Sequence, residues 1–138
     1  MTDPRLQVDR SVESKTDIHG KRTILIYSPD MNFCFSLSSL FQDRYNVITT
    51  TDPDLLSLLA GIRSASLVMI DDEPSGRMIE RLRELRTISP GVPVMMLYVY
   101  GPRGGEMDQA VRDHVNAVFY KPMNVHEVSR SIEDLIGE

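Results

Sequence analysis

The sequence predicts an α/β fold in which a parallel sheet carries helices on both faces. Five short runs of apolar or β-branched residues alternate along the chain with five segments whose apolar residues have helical spacing. This alternation is typical of βαβ units, whose crossover connections are right-handed. A chain of 138 residues has room for one domain with a hydrophobic core and is short for two.

The five predicted strands are short and free of charge until their last residues. Val, Ile, Leu, Met and aromatic residues fill them, and Ser, Pro, Asp or Gly follows most of them. The third and fourth runs are almost entirely apolar, which is typical of central strands buried on both faces. The predicted strands are residues 23–27, 46–51, 67–71, 92–98 and 117–120.

Start and stop signals bound the predicted helices. Asp30 follows the first strand and has a side chain that caps helix amino termini, and Asp52-Pro53 supplies a cap and a first turn for the second helix. The fourth helix, predicted at 106–114 after a glycine-rich loop, has few apolar anchors. The predicted inward-facing residues are Phe33, Leu37, Leu40 and Phe41, then Leu55, Leu56, Leu58, Leu59 and Ile62, then Met78, Ile79, Leu82, Leu85 and Ile88, and finally Val128, Ile132, Leu135 and Ile136.

Composition limits the domain organisation, the location and the partners. Residues 1–20 are polar and mixed in charge and predict a flexible leader, so the domain spans residues 21–138. The formal charge of -5 and the lack of a Lys/Arg cluster argue against direct nucleic-acid binding. No apolar run approaches the roughly 20 residues of a membrane span, and the leader lacks a signal-peptide core. Cys34, between Phe33 and Phe35, predicts a buried, reduced thiol and a cytoplasmic protein.

Charged residues follow two of the predicted strands. Asp71, Asp72 and Glu73 come at the end of the third strand, and Lys121 comes at the end of the fifth. The carboxyl ends of parallel strands share one edge of the sheet, where ligands of open α/β sheets bind. Carboxylates there can hold a divalent cation, and one of them can attack a phosphoryl group to form an acyl phosphate. A solvated acidic loop is the alternative interpretation.

From Lys21 onward the chain resembles the receiver domain of bacterial two-component response regulators. The run LVMID is similar to the family's strand that ends in the phosphoacceptor aspartate, PVMMLY resembles its fourth strand, and FYKP resembles its strand-five lysine-proline. The resemblance implies a flavodoxin-like, doubly wound sheet with strand order 2-1-3-4-5. It also implies that Asp71 is the phosphoacceptor and that Lys121 contacts the phosphoryl group.

The sequence departs from the family at the expected metal site. Receivers usually end strand one with two adjacent acids that hold Mg²⁺, and here Ser28 and Pro29 occupy those places. Asp30, one residue later, either enters the site or caps the following helix, and the cap is favoured. The resemblance leaves Asp30, Asp71 and Glu73 as weak Mg²⁺ ligands and implies no other cofactor.

The predicted switch positions are also atypical. Tyr98 stands where the family has a small hydroxyl residue at the end of strand four, and a phenol cannot take a threonine's part in the same space. Val118 replaces the usual strand-five aromatic, and Phe119 and Tyr120 are expected to point in other directions. Pro74 makes the loop after the phosphoacceptor one residue short. Asp72 is an alternative functional acid, although the LVMID match favours Asp71.

The resemblance implies a signalling module that acts by protein contact and has no enzymatic activity beyond self-phosphorylation at Asp71. One implied partner is a sensor histidine kinase or a phosphotransfer protein, and another is a downstream protein that binds the 106–136 face; the chain could bind either or both. A dimer is also compatible with the resemblance. A phosphorylation-independent pseudo-receiver is the alternative. A flavodoxin-like cofactor protein is a further one, but the SPDMN segment after strand one contains no glycine to cradle a phosphate. The chain could also be part of a larger regulator.

Overall fold

The computed structural model describes residues 20–101 and 104–137. Of the predicted leader, residues 1–19 lie outside these ranges. Within them, five strands and five helices alternate, and one 3₁₀ turn, Pro53–Leu55, precedes the second helix. The elements are β1 Thr23–Tyr27, α1 Met31–Phe41, β2 Asn46–Thr50, α2 Leu56–Ile62, β3 Leu67–Asp71, α3 Gly76–Ile88, β4 Val94–Tyr98, α4 Gly104–Arg112, β5 Ala117–Tyr120 and α5 Val125–Ile136.

The strands form one parallel sheet in the order β2-β1-β3-β4-β5, which confirms the predicted topology. All residues of β1, β3 and β4 are buried, as the apolar composition of these strands requires. The register places Asp71 of β3 beside Leu97 and pairs Tyr98 of β4 with Tyr120 of β5. The last residues of β3, β4 and β5 therefore lie together at the carboxyl edge of the sheet.

The core consists of two apolar layers, one on each face of the sheet. Alternate residues of β3 divide between them: Val68 and Ile70 pack with α2, α3 and α4, whereas Leu67 and Met69 pack with α1 and α5. Cys34 of α1 is buried as predicted, and this burial raises the pKa of its thiol.

The structure corrects the predicted core face of α2. Of the five residues expected to face inward, Leu56 is buried and Leu59 is partly buried in the core as predicted, but Leu55, Leu58 and Ile62 are exposed, and Ala60 is buried without having been predicted. The reason is that a helix buries only one side: Leu56 and Ala60 lie one turn apart on the side that packs on the core, whereas Leu58 and Ile62 lie one turn apart on the exposed side. Leu40 and Ile88, also predicted to face inward, are each half exposed.

Caps and strand ends account for the element boundaries. Asp30 caps α1 by accepting the backbone N–H of Asn32, and Asp52 caps the 3₁₀ turn, both as predicted. α1 ends at Phe41 rather than near residue 44. β4 begins at residue 94 rather than 92, because Pro93 has no N–H to donate to a strand ladder. No helix in the described ranges is long and apolar enough to cross a membrane.

Candidate functional site at the carboxyl edge of the sheet

Asp71 ends β3 in a buried position, 7% exposed, and both of its carboxylate oxygens have partners. Oδ1 pairs with Lys121 Nζ, which comes from the residue after β5. Oδ2 accepts a hydrogen bond of 2.6 Å from Ser28 Oγ, which comes from the residue after β1. The two residues that the sequence predicted to meet, Asp71 and Lys121, are therefore together, and Ser28 completes the group.

Ser28 is fully buried, and its hydroxyl donates one hydrogen bond and accepts another. Its Oγ donates to Asp71 and accepts the backbone N–H of Asp30 at 3.0 Å. Its own backbone N–H donates to Thr50 O at the end of β2. This hydroxyl joins the start of α1 to the end of β3, and its orientation is fixed by the two bonds.

Lys121 is held from two sides. Its backbone N–H donates to Tyr98 O at 2.8 Å, which ties the residue to the end of β4. Its Nζ pairs with Asp71 and lies 4.3 Å from the centroid of the Phe33 ring on α1, a cation–π distance. The ammonium group thus contacts one carboxylate and one aromatic face, and the side chain is 30% exposed.

The other acids at this edge do not join Asp71. Asp30 points its Oδ1 at Asn32 N as a helix cap, and Glu73 is exposed. Asp72 accepts the backbone N–H of Glu73 at 2.8 Å. Among the described residues, no three His, Cys, Asp or Glu side chains group as they would around a metal ion, and Mg²⁺ ligation by Asp30, Asp71 and Glu73 stays a prediction.

The groups around Asp71 fit Mg²⁺ poorly. This ion requires near-octahedral oxygen ligation and usually binds through carboxylates and water. At Asp71 one oxygen is paired with an ammonium group and the other accepts a hydroxyl hydrogen. A cation entering this site would have to share the Asp71 oxygens with Lys121 and Ser28 or displace one of them.

A second polar group lies beside this site, between the ends of β4 and β5 and helix α4. The hydroxyls of Tyr98 and Tyr120 both donate to Asp108 Oδ1, the second at 2.7 Å. Arg112 Nε donates to Asp108 Oδ2 at 3.0 Å, and its Nη2 donates to Tyr120 Oη at 2.8 Å. The two tyrosine rings meet edge to face with centroids 5.7 Å apart. The Asp108 carboxylate thus accepts hydrogen bonds from two hydroxyls and one guanidinium group.

The electrostatics of this second group favour an ionised Asp108 and a neutral Tyr98. Burial, followed by the hydrogen bond to Asp108 and the charge of that carboxylate, raises the pKa of Tyr98 well above its ordinary value. Burial acts to raise the pKa of Asp108, but the hydrogen bonds from Tyr98, Tyr120 and Arg112 outweigh it and hold the pKa below its usual range. The hydrogen bonds to Tyr120 and Asp108 raise the pKa of Arg112.

The predicted switch positions have mixed outcomes. Val118 is half-buried and packs on the layer formed with α2, α3 and α4, and Phe119 lies on the opposite layer as expected. The expectation for Tyr120 was wrong: it lies two residues after Val118, hence on the same face, and its ring contacts Tyr98. Strand alternation in the sequence already contained this signal. The i, i+4 spacing of Asp108 and Arg112 was a weaker signal for their ion pair.

No protein-family model and no curated protein sequence matches the chain. Solved structures do match. A CheY-like receiver domain from Methanospirillum hungatei superposes with a TM-score of 0.72 at 19% identity, over 83% of this chain and 92% of the other. The chain has the receiver-domain fold.

Two further structures show how widely this fold is used. A chemotaxis protein from Vibrio cholerae matches with a TM-score of 0.71 at 18% identity, covering 83% of this chain and 98% of its own. A putative pilus assembly protein from Burkholderia thailandensis matches with a TM-score of 0.69 at 20% identity, covering 84% and 98%. At these identities the likeness concerns the fold, and function must be argued from the residues of this chain.

Proposed function

We propose that this chain is a receiver-fold signalling module that acts by contact with another protein and does not depend on phosphoryl transfer to Asp71. One observation carries the proposal: Ser28 Oγ donates to Asp71 Oδ2 at 2.6 Å, in the place where receivers have a metal-binding acid, while Lys121 pairs with the other oxygen. Both oxygens of the would-be nucleophile are already engaged.

The chemistry of phosphoryl transfer explains why this substitution matters. Catalysis of the transfer consists mainly of positioning and of charge neutralisation by a metal ion and cationic groups. A serine hydroxyl adds no negative charge to attract Mg²⁺, and Pro29 adds no ligand. Lys121 alone would remain to neutralise an incoming phosphoryl group. The pair and the serine therefore act as a structural tie among the ends of β1, β3 and β5.

The fold is compatible with an output by contact alone. It occurs in a chemotaxis protein and in a putative pilus assembly protein, so the fold prescribes no single output. We propose that the partner protein binds the 106–136 face of this chain. We further propose that the protein is cytoplasmic and has no catalytic turnover. Its partner is a downstream protein, with a sensor histidine kinase or phosphotransfer protein as the alternative.

Phosphorylation at Asp71 is the second candidate. Its support is the position of Asp71 at the end of β3, paired with a lysine from the end of β5, which the resemblance to receivers also predicts. The two candidates differ in one measurable property, the ability of Asp71 to form an acyl phosphate.

Intact-mass spectrometry after incubation with Mg²⁺ and acetyl phosphate separates the candidates. We expect no phosphoryl adduct on the natural chain. The variant Ser28→Asp/Pro29→Asp restores two acids before the Asp30 cap and should gain an adduct, and adding Asp71→Asn to that variant should remove it. Circular dichroism establishes that each variant is folded.

An adduct on the natural chain that disappears in Asp71→Asn would establish the second candidate and refute the first. An adduct that persists in Asp71→Asn would place the modification elsewhere. Failure of the folded double-acid variant to gain an adduct would show that the missing acids are not what limits the site.

A further inference from the structure

The described side chains of helix α4 offer limited apolar contact with the core, through the buried Val111 and the partly buried Ala110. Among its side chains that the structure describes, residues 107–112, Val111 is fully buried and its neighbours are half-buried or exposed. By comparison, α5 buries Val128, Ile132 and Ile136. Helices in proteins are stabilised mostly by packing of an apolar face, so α4 needs another source of attachment.

The polar group around Asp108 supplies this additional attachment of α4 to the sheet. Asp108 is on α4, its side chain is 13% exposed, and the hydroxyls that it accepts come from the last residues of two neighbouring strands. Tyr98 is itself 2% exposed, so this hydrogen bond is protected from water. Arg112, one turn further along α4, binds both Asp108 and the Tyr120 hydroxyl. The helix is thereby tied to β4 and β5 by side chains whose own positions are set by the sheet.

We propose that Tyr98, Asp108, Arg112 and Tyr120 form a latch that holds α4 on the edge of the sheet, and that α4 leaves the sheet when the latch opens. We call this group the α4 latch. Its central member is Asp108, because the other three residues all bind that carboxylate.

Removing a hydroxyl from the latch should act on α4 and spare the sheet. A phenylalanine at position 98 keeps the ring that packs on Tyr120 but leaves Asp108 with one donor fewer, and a poorly solvated carboxylate that loses a donor is destabilised. The strands are held by their backbone ladder and by the apolar core, which this change leaves in place. The helix is the element that can move away.

The latch adjoins the Asp71 site through shared backbone. Lys121 N donates to Tyr98 O, so the residue that pairs with Asp71 is also bonded to a member of the latch. A closed latch would present a fixed α4 to a partner that binds the 106–136 face. That role in partner binding rests on the proposed function, whereas the latch itself does not.

Hydrogen exchange followed by mass spectrometry on the full chain tests the latch, with the natural chain compared to Tyr98→Phe and Asp108→Asn. We expect the amides of residues 107–112 to exchange about tenfold faster in both variants, as loss of a charge-assisted hydrogen bond predicts. Exchange in α5 should not change. The control is Asp113→Asn, since Asp113 is exposed just after α4 and binds Gln109 outside the latch, and it should leave α4 exchange unaltered.

Unchanged exchange of residues 107–112 in both variants would overturn the latch. So would an increase spread evenly over α4, α5 and the strands, because it would show general destabilisation instead of local release. The experiment contains no phosphodonor. Phosphorylation of Asp71 in the natural chain would refute the proposed function and leave this result standing.

Discussion

Asp71 and Asp108 lie at the same edge of the sheet and are satisfied in similar ways, but they connect different parts of the molecule. Each carboxylate accepts at least one side-chain hydroxyl and pairs with one cationic side chain. The partners of Asp71, Ser28 and Lys121, follow β1 and β5, so that group joins strands to one another. Asp108 is on α4, and its hydroxyl partners end β4 and β5, so that group joins a helix to the sheet.

The comparison shows that the role of a carboxylate depends more on the side chains bound to it than on its position in the fold. An acid at a strand end in an α/β fold is placed for metal or phosphoryl chemistry. Under the proposed function, the hydroxyl and the ammonium group bound to Asp71 direct its charge to stabilising the fold. At Asp71 the ties run within the rigid sheet. At Asp108 they run to helix α4, and we expect that breaking these ties releases the helix from the sheet.

The largest expected effect is the loss of the Lys121 charge. Lys121→Met keeps the aliphatic stem near Phe33 but leaves the buried Asp71 carboxylate without its cation. We expect the free energy of unfolding to fall by about 2–3 kcal/mol, below the range for fully buried pairs because Lys121 is partly exposed. Urea denaturation measures this loss.

Two controls sharpen that measurement. Arg130→Met removes an exposed cation from α5 and should change stability little. Lys121→Met combined with Asp71→Asn should be more stable than Lys121→Met alone, because the unpaired charge is gone. A Lys121→Met variant as stable as Arg130→Met would show that the pair contributes nothing to the fold.

Ser28→Ala should have the next largest effect. It removes the buried hydroxyl that binds Asp71 and the backbone N–H of Asp30, and we expect a loss of about 1–2 kcal/mol in the free energy of unfolding. Ser36→Ala is the matched control, since its hydroxyl lies on the exposed side of α1 and binds Asn32 O. Equal stability of the two variants would contradict the structural role given to Ser28.

The pH dependence of stability should identify Asp108. Its pKa is lowered in the folded protein, so its contribution is present above the unfolded value of about 4 and is lost as the pH falls through the folded pKa. The difference in unfolding free energy between the natural chain and Asp108→Asn, about 1 kcal/mol at neutral pH, should therefore shrink below pH 4. A difference that is constant between pH 7 and pH 3 would contradict this ionisation. Tyr98, Tyr120 and Arg112 are the titratable groups that face it.

The smallest expected effect is on the reactivity of Cys34. This thiol lies next to Ser28, so its reactivity reports on the group around Asp71 and not on the group around Asp108. Burial raises the pKa of this thiol, and its Sγ lies 3.8 Å from Ser28 O. Alkylation by iodoacetamide should be slow in the natural chain and in Tyr98→Phe, and about twofold to fivefold faster in Ser28→Ala, which loosens the adjoining turn. Faster alkylation in Tyr98→Phe would show that the two groups open together.

The parallel sheet followed from the sequence because apolar runs, turn residues and caps are local signals that agree with one another, whereas the strand order came from the resemblance to receiver domains. The inward face of α2 did not follow. Asp52 and Pro53 correctly predict the start of a helical segment, but nothing nearby distinguishes a 3₁₀ turn from an α-helical one. Apolar residues lie on both sides of this helix in the sequence, and only the packing shows that Ala60 faces the core and Leu58 does not.

For the candidate site, the sequence predicted the meeting of Asp71 and Lys121 because parallel strands bring their carboxyl ends to one edge. It did not predict that the Ser28 hydroxyl binds Asp71, since a serine after a strand usually marks only a turn. The latch was missed because it joins three separate elements. Strand alternation places Tyr98 and Tyr120 together, yet only the packing of α4 brings Asp108 to their hydroxyls.

The most direct measurement of the central claim is a titration with Mg²⁺ and beryllofluoride, a mimic of the acyl phosphate, followed by ¹⁵N NMR. If Ser28 and Lys121 already satisfy Asp71, the amide signals of these three residues should show no saturable shift in the natural chain. Asp108 and its neighbours on α4 should be unaffected as well. Saturable shifts at Ser28, Asp71 and Lys121 that vanish in Asp71→Asn would contradict the account and identify a functional phosphoacceptor site.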